Sequence, residues 1–582
     1  MNSSSAGGRD DVTPEPRTDG GDAVISAFNA IGSDYLFSSP GSEWAPVWES
    51  LARRHRDGLP CPKYLDLTHE TVAVGMATGY GLVTRRPQGV LLHAGPGLLQ
   101  GACAIHGALL AGVPMVIASS ESTTYGDGPG PDPGSQWYRN LSVVGGPHTL
   151  ARPFVKWAGQ AADVSTLLTM VTRSAELAER APAGPVYLNV PLEVLLEPWQ
   201  EHDPAPIAAR GTTVSSPESV AAAFALLAGA ENPVIVTETA GREAGGMRAL
   251  TGLAEALRIP VVEPNSAVCA NFPRTHELHA GGDIEPFMDT ADLIVLVNCR
   301  APFYPPSRRP GRAKVVVIDE VPQRPHLAYQ VLHADLYLEG GLTATLLELT
   351  RLARMTPPPE PVLSRRREAQ LARHAAETAA IAAAEQRAVH TKENAAGIDP
   401  ILVAATLRDL LDDDAIVVDE TITHSRIVAR HMPRTSPDSY FYVQGGLGQG
   451  IAVALGVKLA APRRPVVLTI GDGAFLYNPV IPSLEAARRY GLPLLIVIFN
   501  NRQYRSMKLN HLRFYPDGAA VQTGEFLGTD LSGQPEAARF AEPFGMHAET
   551  VEHAGDLPAA LSRALKSVRD GTTAVVDVTV SR

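Results

Sequence analysis

The chain has 582 residues, enough for three or four domains that each bury a core. Its 45% apolar and 19% charged shares describe a soluble globular protein, and a net charge of −12 argues against nucleic-acid or anionic-membrane surfaces. Cys61, Cys103, Cys269 and Cys299 show neither a CxxC nor a metal-ligand spacing and read as reduced, cytoplasmic thiols; no apolar run approaches a membrane span, and the N-terminus lacks a signal-peptide core.

Residues 1–22 are rich in Gly, Ser, Asp and Pro and read as a disordered tail. An α/β domain is expected over 23–197. Its short apolar runs, Tyr35–Phe37, Tyr64–Leu67, Val90–His93, Val113–Ala118 and Val186–Val190, alternate with helical stretches, and the first, third and fifth end in Gly- or Pro-bearing turns. That alternation indicates a doubly wound parallel sheet. Glu70 stands at a strand-to-helix junction, followed by apolar Val72, Val74 and Met76, a partly buried position that suits a proton relay.

After a Pro-containing linker, a second α/β unit spans 211–352, with strands near Pro233–Thr237, Pro260–Val262, Leu293–Val297 and Val315–Ile318. Asp319 follows the last of these, where Rossmann-like units often meet a ribose, but no GxGxxG is present and a spacer domain is the favoured reading. Residues 353–398 form a linker whose Ala/Arg/Glu-rich stretch Ser364–Val389 reads as an exposed crossing helix. A third α/β domain covers 399–582.

Within that third domain, Pro465–Ile470 reads as a buried parallel strand ending in the turn Gly471-Asp472-Gly473. Pro482 opens a helix through Tyr490, Leu492–Phe499 is the next strand, and Asn500-Asn501 closes it. Such a βαβ unit binds its ligand at the carboxyl end of the first strand. An Asp carboxylate, an Asn amide oxygen and a backbone carbonyl, joined by a diphosphate and water, complete an octahedral Mg²⁺.

GDG, 26 residues, then NN resembles the thiamin-diphosphate (ThDP) motif, at a spacing slightly longer than usual. Thr68-His69-Glu70, GVLLHAGPGLLQG (89–101), GVPMVIAS (112–119), ARPFVKW (151–157), GPVYLNVP (184–191) and QGGLGQGIAVALG (444–456) accompany it in one order. That order resembles the pyruvate-oxidase, acetolactate-synthase and benzoylformate-decarboxylase branch of ThDP enzymes. Phe37–Ser42, Leu92-His93, Arg152–Trp157 and Gly184–Pro191 are most similar to benzoylformate decarboxylase. The resemblance implies three doubly wound domains: pyrimidine-binding, central Rossmann-like and diphosphate-binding. It also implies a site between the first domain of one subunit and the third of another, in a homodimer at least and usually a homotetramer.

It further implies roles. Glu70 would bond the aminopyrimidine and promote formation of the thiazolium ylide. Asp472, Asn501 and the Gln503 carbonyl would hold Mg²⁺. Gly473 and Ala474, in the turn opened by Gly471, would offer N–H groups to the diphosphate, with Thr423 a further contact. The Gly445 carbonyl would accept from the 4′-amino group, and Leu447 would impose the bent cofactor shape. Ser42 would meet the substrate carboxylate and His93 would relay protons. The second histidine of benzoylformate decarboxylase has no counterpart in Arg300–Ser307, and Glu121 replaces a glutamine common among relatives. His424 and Tyr504 are candidates to line the pocket instead. The implied activity is decarboxylation of a 2-oxo acid, with the enamine intermediate protonated to an aldehyde or added to a second carbonyl compound. The alternative is an acetolactate-synthase-type carboligase joining two 2-oxo acids. A flavin-dependent oxidase and a non-catalytic scaffold rank below both.

Overall fold

The computed structural model describes residues 18–581 except 125–127, 130, 135–144, 201, 203–210, 265–266, 301–302, 304–309, 325–332, 391–396 and 444. Most of the expected tail, residues 1–17, lies outside that range, as does most of Arg300–Ser307. Residues 18–22, however, do not belong to a tail. Helix α1 (Gly20–Ala30) begins there because Asp19 and Asp22 form a capping box, and Arg53 pairs with both carboxylates.

The first sheet holds β1 (Tyr35–Ser39), β2 (Lys63–Asp66), β3 (Gln88–Leu92), β4 (Met115–Ser119), β5 (Trp157–Gln160) and β6 (Pro185–Asn189), in the order 2-1-3-4-6-5. All its pairings are parallel. Helix α2 (Glu70–Thr84) links β2 to β3, and α3 (Pro96–Ala111) links β3 to β4. The central sheet is β7 (Pro233–Thr237), β8 (Val261–Val262), β9 (Leu293–Val297), β10 (Lys314–Asp319) and β11 (Leu336–Glu339), in the order 11-10-9-7-8. Helix α4 (Glu360–His390) then crosses the molecule. Its Arg366 donates to the carbonyls of Leu227, Ala230 and Leu257 in the central domain, while its Glu385 binds Arg408 and His431 of the third.

The third sheet comprises β12 (Ile416–Glu420), β13 (Tyr440–Tyr442), β14 (Val466–Gly471), β15 (Leu495–Asn500), β16 (His547–Val551) and β17 (Ala574–Thr579). Its order, 13-12-14-15-17-16, repeats that of the first sheet strand for strand. Helix α5 (Gly450–Ala460) joins β13 to β14, the place that α2 holds in the first domain. Two helices, α6 (Asp472–Tyr477) and α7 (Val480–Arg489), lie between β14 and β15. The expected Gly471–Gly473 turn is therefore a strand-to-helix junction, and α7 begins at Val480, so Pro482 sits inside its first turn rather than opening it. The edge strands β5 and β11 escaped the sequence reading because each is short and mostly half-buried, without a continuous apolar run.

Helices α2 and α5 pack backbone to backbone and tie the outer domains together. Gly79 lies against Val453 and Val457, and Gly456 lies against Met76 and Tyr80. A Cβ at Gly79 would stand 2.0 Å from the Val453 carbonyl oxygen. Gly79→Ala is accordingly expected to cost about 2–3 kcal/mol through overpacking. A urea midpoint equal to the parent's would show that this contact yields freely.

Candidate active site

Two clusters form at the carboxyl ends of the outer sheets, where open α/β sheets bind ligands. In the first domain, Ser42 opens a 3-10 turn (Ser42–Trp44) just after β1, exposed at its first residue. The turn is fixed to the end of β3, since Trp44 Nε1 donates to the Leu92 carbonyl at 2.9 Å. Glu43, which the sequence reading passed over, is buried in that turn. Its carboxylate oxygens lie 2.9 and 3.1 Å from His93 Nδ1, and Oε1 accepts the Ala94 N–H at 2.7 Å. The Glu43 hydrogen bond, opposed by partial burial and helped by Glu70, holds the His93 imidazolium above its ordinary range.

Glu70 is the first residue of α2, half-buried, with the His69 side chain capping the helix on the Thr71 N–H. It shares a wall with His93. A Cβ added at Gly97 of α3 would stand 2.9 Å from His93 Cβ and 3.2 Å from Glu70 Oε1. Further along α3, Cys103 and Gly107 meet the Gly445-Gly446 backbone, so this helix touches both clusters.

In the third domain, β14 ends at Gly471 and Asp472 begins α6. Asp472 Oδ1 accepts the Gly473 N–H at 2.9 Å, and Oδ2 accepts the Gln503 N–H at 3.2 Å. Asn501 Oδ1 accepts that same N–H at 3.0 Å. The three expected metal-site residues therefore converge, with the Gln503 carbonyl taking the Arg505 N–H on one of its two lone pairs. Burial, with Asp577 adding, pushes the Asp472 carboxyl up to about 6 against the backbone donors around it. Gly473 and Ala474 are buried in α6, and the Tyr504 ring covers Gly473.

Leu447 is half-buried between Gly445, Gly446 and Gly448, whose φ values of 90°, 118° and 95° belong to the region that favours glycine. Thr423 is half-buried after Ile422, a β-branched residue held at φ 45°, which marks a strained turn at the end of β12. The anchor of this region is Glu420, also passed over in the sequence reading. Fully buried, it accepts the N–H groups of Gly448, Gln449 and Gly450 and the side-chain amide of Asn478. Burial raises its carboxyl to about 7 against those donors. A single carboxylate thus clamps the Leu447 loop to the end of α6. Its signal in the sequence is slight: an acid closing an apolar strand.

These donors fit Mg²⁺ and a diphosphate. Among the described residues no group of three His, Cys, Asp or Glu could hold a metal alone. One carboxylate, one amide oxygen and one carbonyl form an incomplete hard-oxygen set that phosphate and water oxygens would complete. His424 is buried, its Nε2 has no hydrogen-bond partner, and its ring lies 5.7 Å from Phe499 near the end of β15. Burial, with Arg505 adding, pushes it down to about 4. An orphaned, neutral, buried nitrogen is what a ligand group would satisfy.

In the central domain, Asp319 accepts the Val321 N–H and pairs with Arg324. Both border a cavity of about 800 Å³ between the first and central domains that also takes in Arg85, Arg242 and Arg300. None of the twelve site residues expected from sequence lines it.

Comparison with known proteins gives one consistent result. Family models for the thiamine pyrophosphate enzyme N-terminal TPP binding domain, central domain and C-terminal TPP binding domain match residues 18–140, 220–349 and 421–578. The chain is 27% identical to benzoylformate decarboxylase of Pseudomonas aeruginosa, covering 92% of this chain and 95% of that protein. It is 25% identical to the acetolactate synthase isozyme 3 large subunit of Escherichia coli, covering 96% and 94%. Among solved structures it shares its fold with a thiamine diphosphate-dependent 4-hydroxybenzoylformate decarboxylase from Rhodococcus jostii RHA1. That match has a TM-score of 0.76 at 23% identity and covers 97% of this chain and 99% of the other.

Proposed function

The chain belongs to the thiamine pyrophosphate enzymes, and we propose that it uses ThDP and Mg²⁺ to decarboxylate a 2-oxo acid. Aldehyde release is its core activity and carboligation a companion one. Bound ThDP supplies the nucleophilic carbon and the electron sink for loss of CO₂. Asp472, Asn501 and Gln503 hold the metal that carries the diphosphate, and Glu70 moves the proton that activates the cofactor. Leu447 and the Gly445 carbonyl orient the cofactor, with Thr423 and the Gly471–Ala474 backbone on its diphosphate. Ser42 faces the substrate carboxylate.

The observation that carries the decarboxylase reading is the His93–Glu43 pair beside Glu70. Aldehyde release needs an acid to protonate the carbon that has lost CO₂, and a histidinium sharing the Glu70 wall suits that task. The acetolactate-synthase-type reading, in which a second 2-oxo acid is the acceptor, draws support from the Escherichia coli relative. Incubating the holoenzyme with a panel of 2-oxo acids separates them by product: aldehyde and 2-hydroxyketone, or acetohydroxy acid.

A second copy of the chain completes the site in this reading, as a homodimer at least and a homotetramer by family habit. The exposed Tyr477 and Ile481, in the helix that Asp472 opens and the one after it, leave apolar surface for that copy to cover. A cytoplasmic setting accords with four free cysteines. No helix among the described residues is long and apolar enough to cross a membrane.

His93→Ala is expected to slow aldehyde release about a hundredfold while cofactor loading stays normal. The aldehyde to 2-hydroxyketone ratio should fall when an acceptor aldehyde is added. An unchanged ratio at normal loading would remove His93 as proton donor and favour the synthase reading.

A further inference from the structure

We propose that Glu43 is a positioning residue that fixes the tautomer and the protonation state of His93. The inference rests on the proton-donor reading of His93 but is measured separately from it.

A carboxylate only accepts hydrogen bonds, and both oxygens of Glu43 lie within bonding distance of His93 Nδ1. Nδ1 therefore carries a proton in either charge state. Neutral His93 has a bare Nε2, and charged His93 carries its transferable proton there. The orientation is not left to the side chains. The Ala94 N–H holds Glu43 Oε1, Trp44 holds the same turn to the Leu92 carbonyl, and Gly41 lets the pair pack against bare backbone. A Cβ at Gly41 would stand 1.9 Å from His93 Nδ1 and 2.2 Å from Glu43 Oε2.

Among the described residues, the charged groups acting on His93 are Glu43, from the turn after β1, and Glu70, from the start of α2; on α3, Gly97 lies against it. Glu43 makes the hydrogen bond and Glu70 acts through space. Both favour imidazolium, so His93 stays charged into the pH range where a free imidazole would be neutral. In the step it serves, the Nε2 proton passes to the carbon that has lost CO₂. Neutral His93 then recovers a proton from water, and nothing else is consumed.

Glu43→Gln is the informative change. Its amide oxygen can keep the Ala94 N–H, but its NH₂ faces Nδ1, which must then accept. Neutral His93 would hold its proton on Nε2, and the charged form would lose its carboxylate. In ¹⁵N-histidine-labelled holoenzyme, with the His93 signal assigned by its loss in His93→Ala, the titration should move down by about one pH unit or more. The alkaline limb of aldehyde release should move with it, lowering kcat on that limb about tenfold. Glu43→Asp, which retains the charge, should recover part of both shifts and covers the case that the glutamine variant folds poorly. A merely structural Glu43 would lower activity evenly across pH without moving the limb. Coincident His93 titrations in parent and Glu43→Gln would overturn the proposal. A titration that falls while the aldehyde limb stays fixed would uphold Glu43 as the setter of His93 and overturn the proton-donor role instead.

Discussion

Asp472→Ala is expected to leave a folded protein that no longer retains ThDP. Asp472 is the one carboxylate in the converging set, and the remaining donors are an amide oxygen and a carbonyl already shared with Arg505. Two neutral oxygens do not hold a divalent cation against water, and without the cation the diphosphate loses its bridge. Calorimetry with Mg²⁺ and ThDP should show affinity falling on the order of 10²-fold or more. Unchanged affinity would move the metal site elsewhere. The parent carries its own control. Its Asp472 takes a proton near pH 6 without metal, because burial disfavours the carboxylate. Metal binding must displace that proton, so loading should be full above about pH 6 and weaken roughly tenfold per unit below it.

The complementary loss is chemistry without cofactor. Glu70→Gln keeps the length and polarity of the side chain at the start of α2 but removes its capacity to exchange a proton. The metal and diphosphate contacts lie on a different sheet, so ThDP should bind as in the parent. Turnover should fall at least 10³-fold, toward the upper end for a positioned proton-transfer group. Hydrogen–deuterium exchange at the thiazolium C2 of bound ThDP, followed by NMR, isolates this step from substrate chemistry. Exchange as fast as the parent's would remove Glu70 from activation and leave it a helix-terminal acid.

The sequence was most legible where physics is local. Buried parallel strands announce themselves as short apolar runs, and β1, β3, β6, β7, β9, β10, β14 and β15 all follow that pattern. The Asp472–Asn501 spacing was legible because it spans the one crossover from β14 to β15. Other features were hidden by distance along the chain. Glu43 takes meaning only from His93, and Glu420 only from Gly448–Gly450 and Asn478. Neither partner can be inferred from local spacing. Helix α6 was missed for another reason. Asp and Gly at its start resemble a turn, and Asn478-Pro479 halts it after six residues. The start of α1 depended on the capping pair Asp19 and Asp22, which resembles a polar tail until Arg53 arrives from the helix Ala45–Arg56.

The matching strand orders of the two outer sheets place His93 and Asp472 at the same station, just past the third strand. Glu43 and Thr423 likewise share the exit of the first strand, and α2 and α5 share the link from the second to the third. The two outer domains thus share one strand order and are joined through Gly79 and Gly456. In the first domain the strand exits hold a glutamate–histidine pair; in the third they hold an aspartate and an asparagine amide that share one backbone N–H. One strand order used twice with different residues at its exits divides the two clusters between domains, so that neither domain alone carries both.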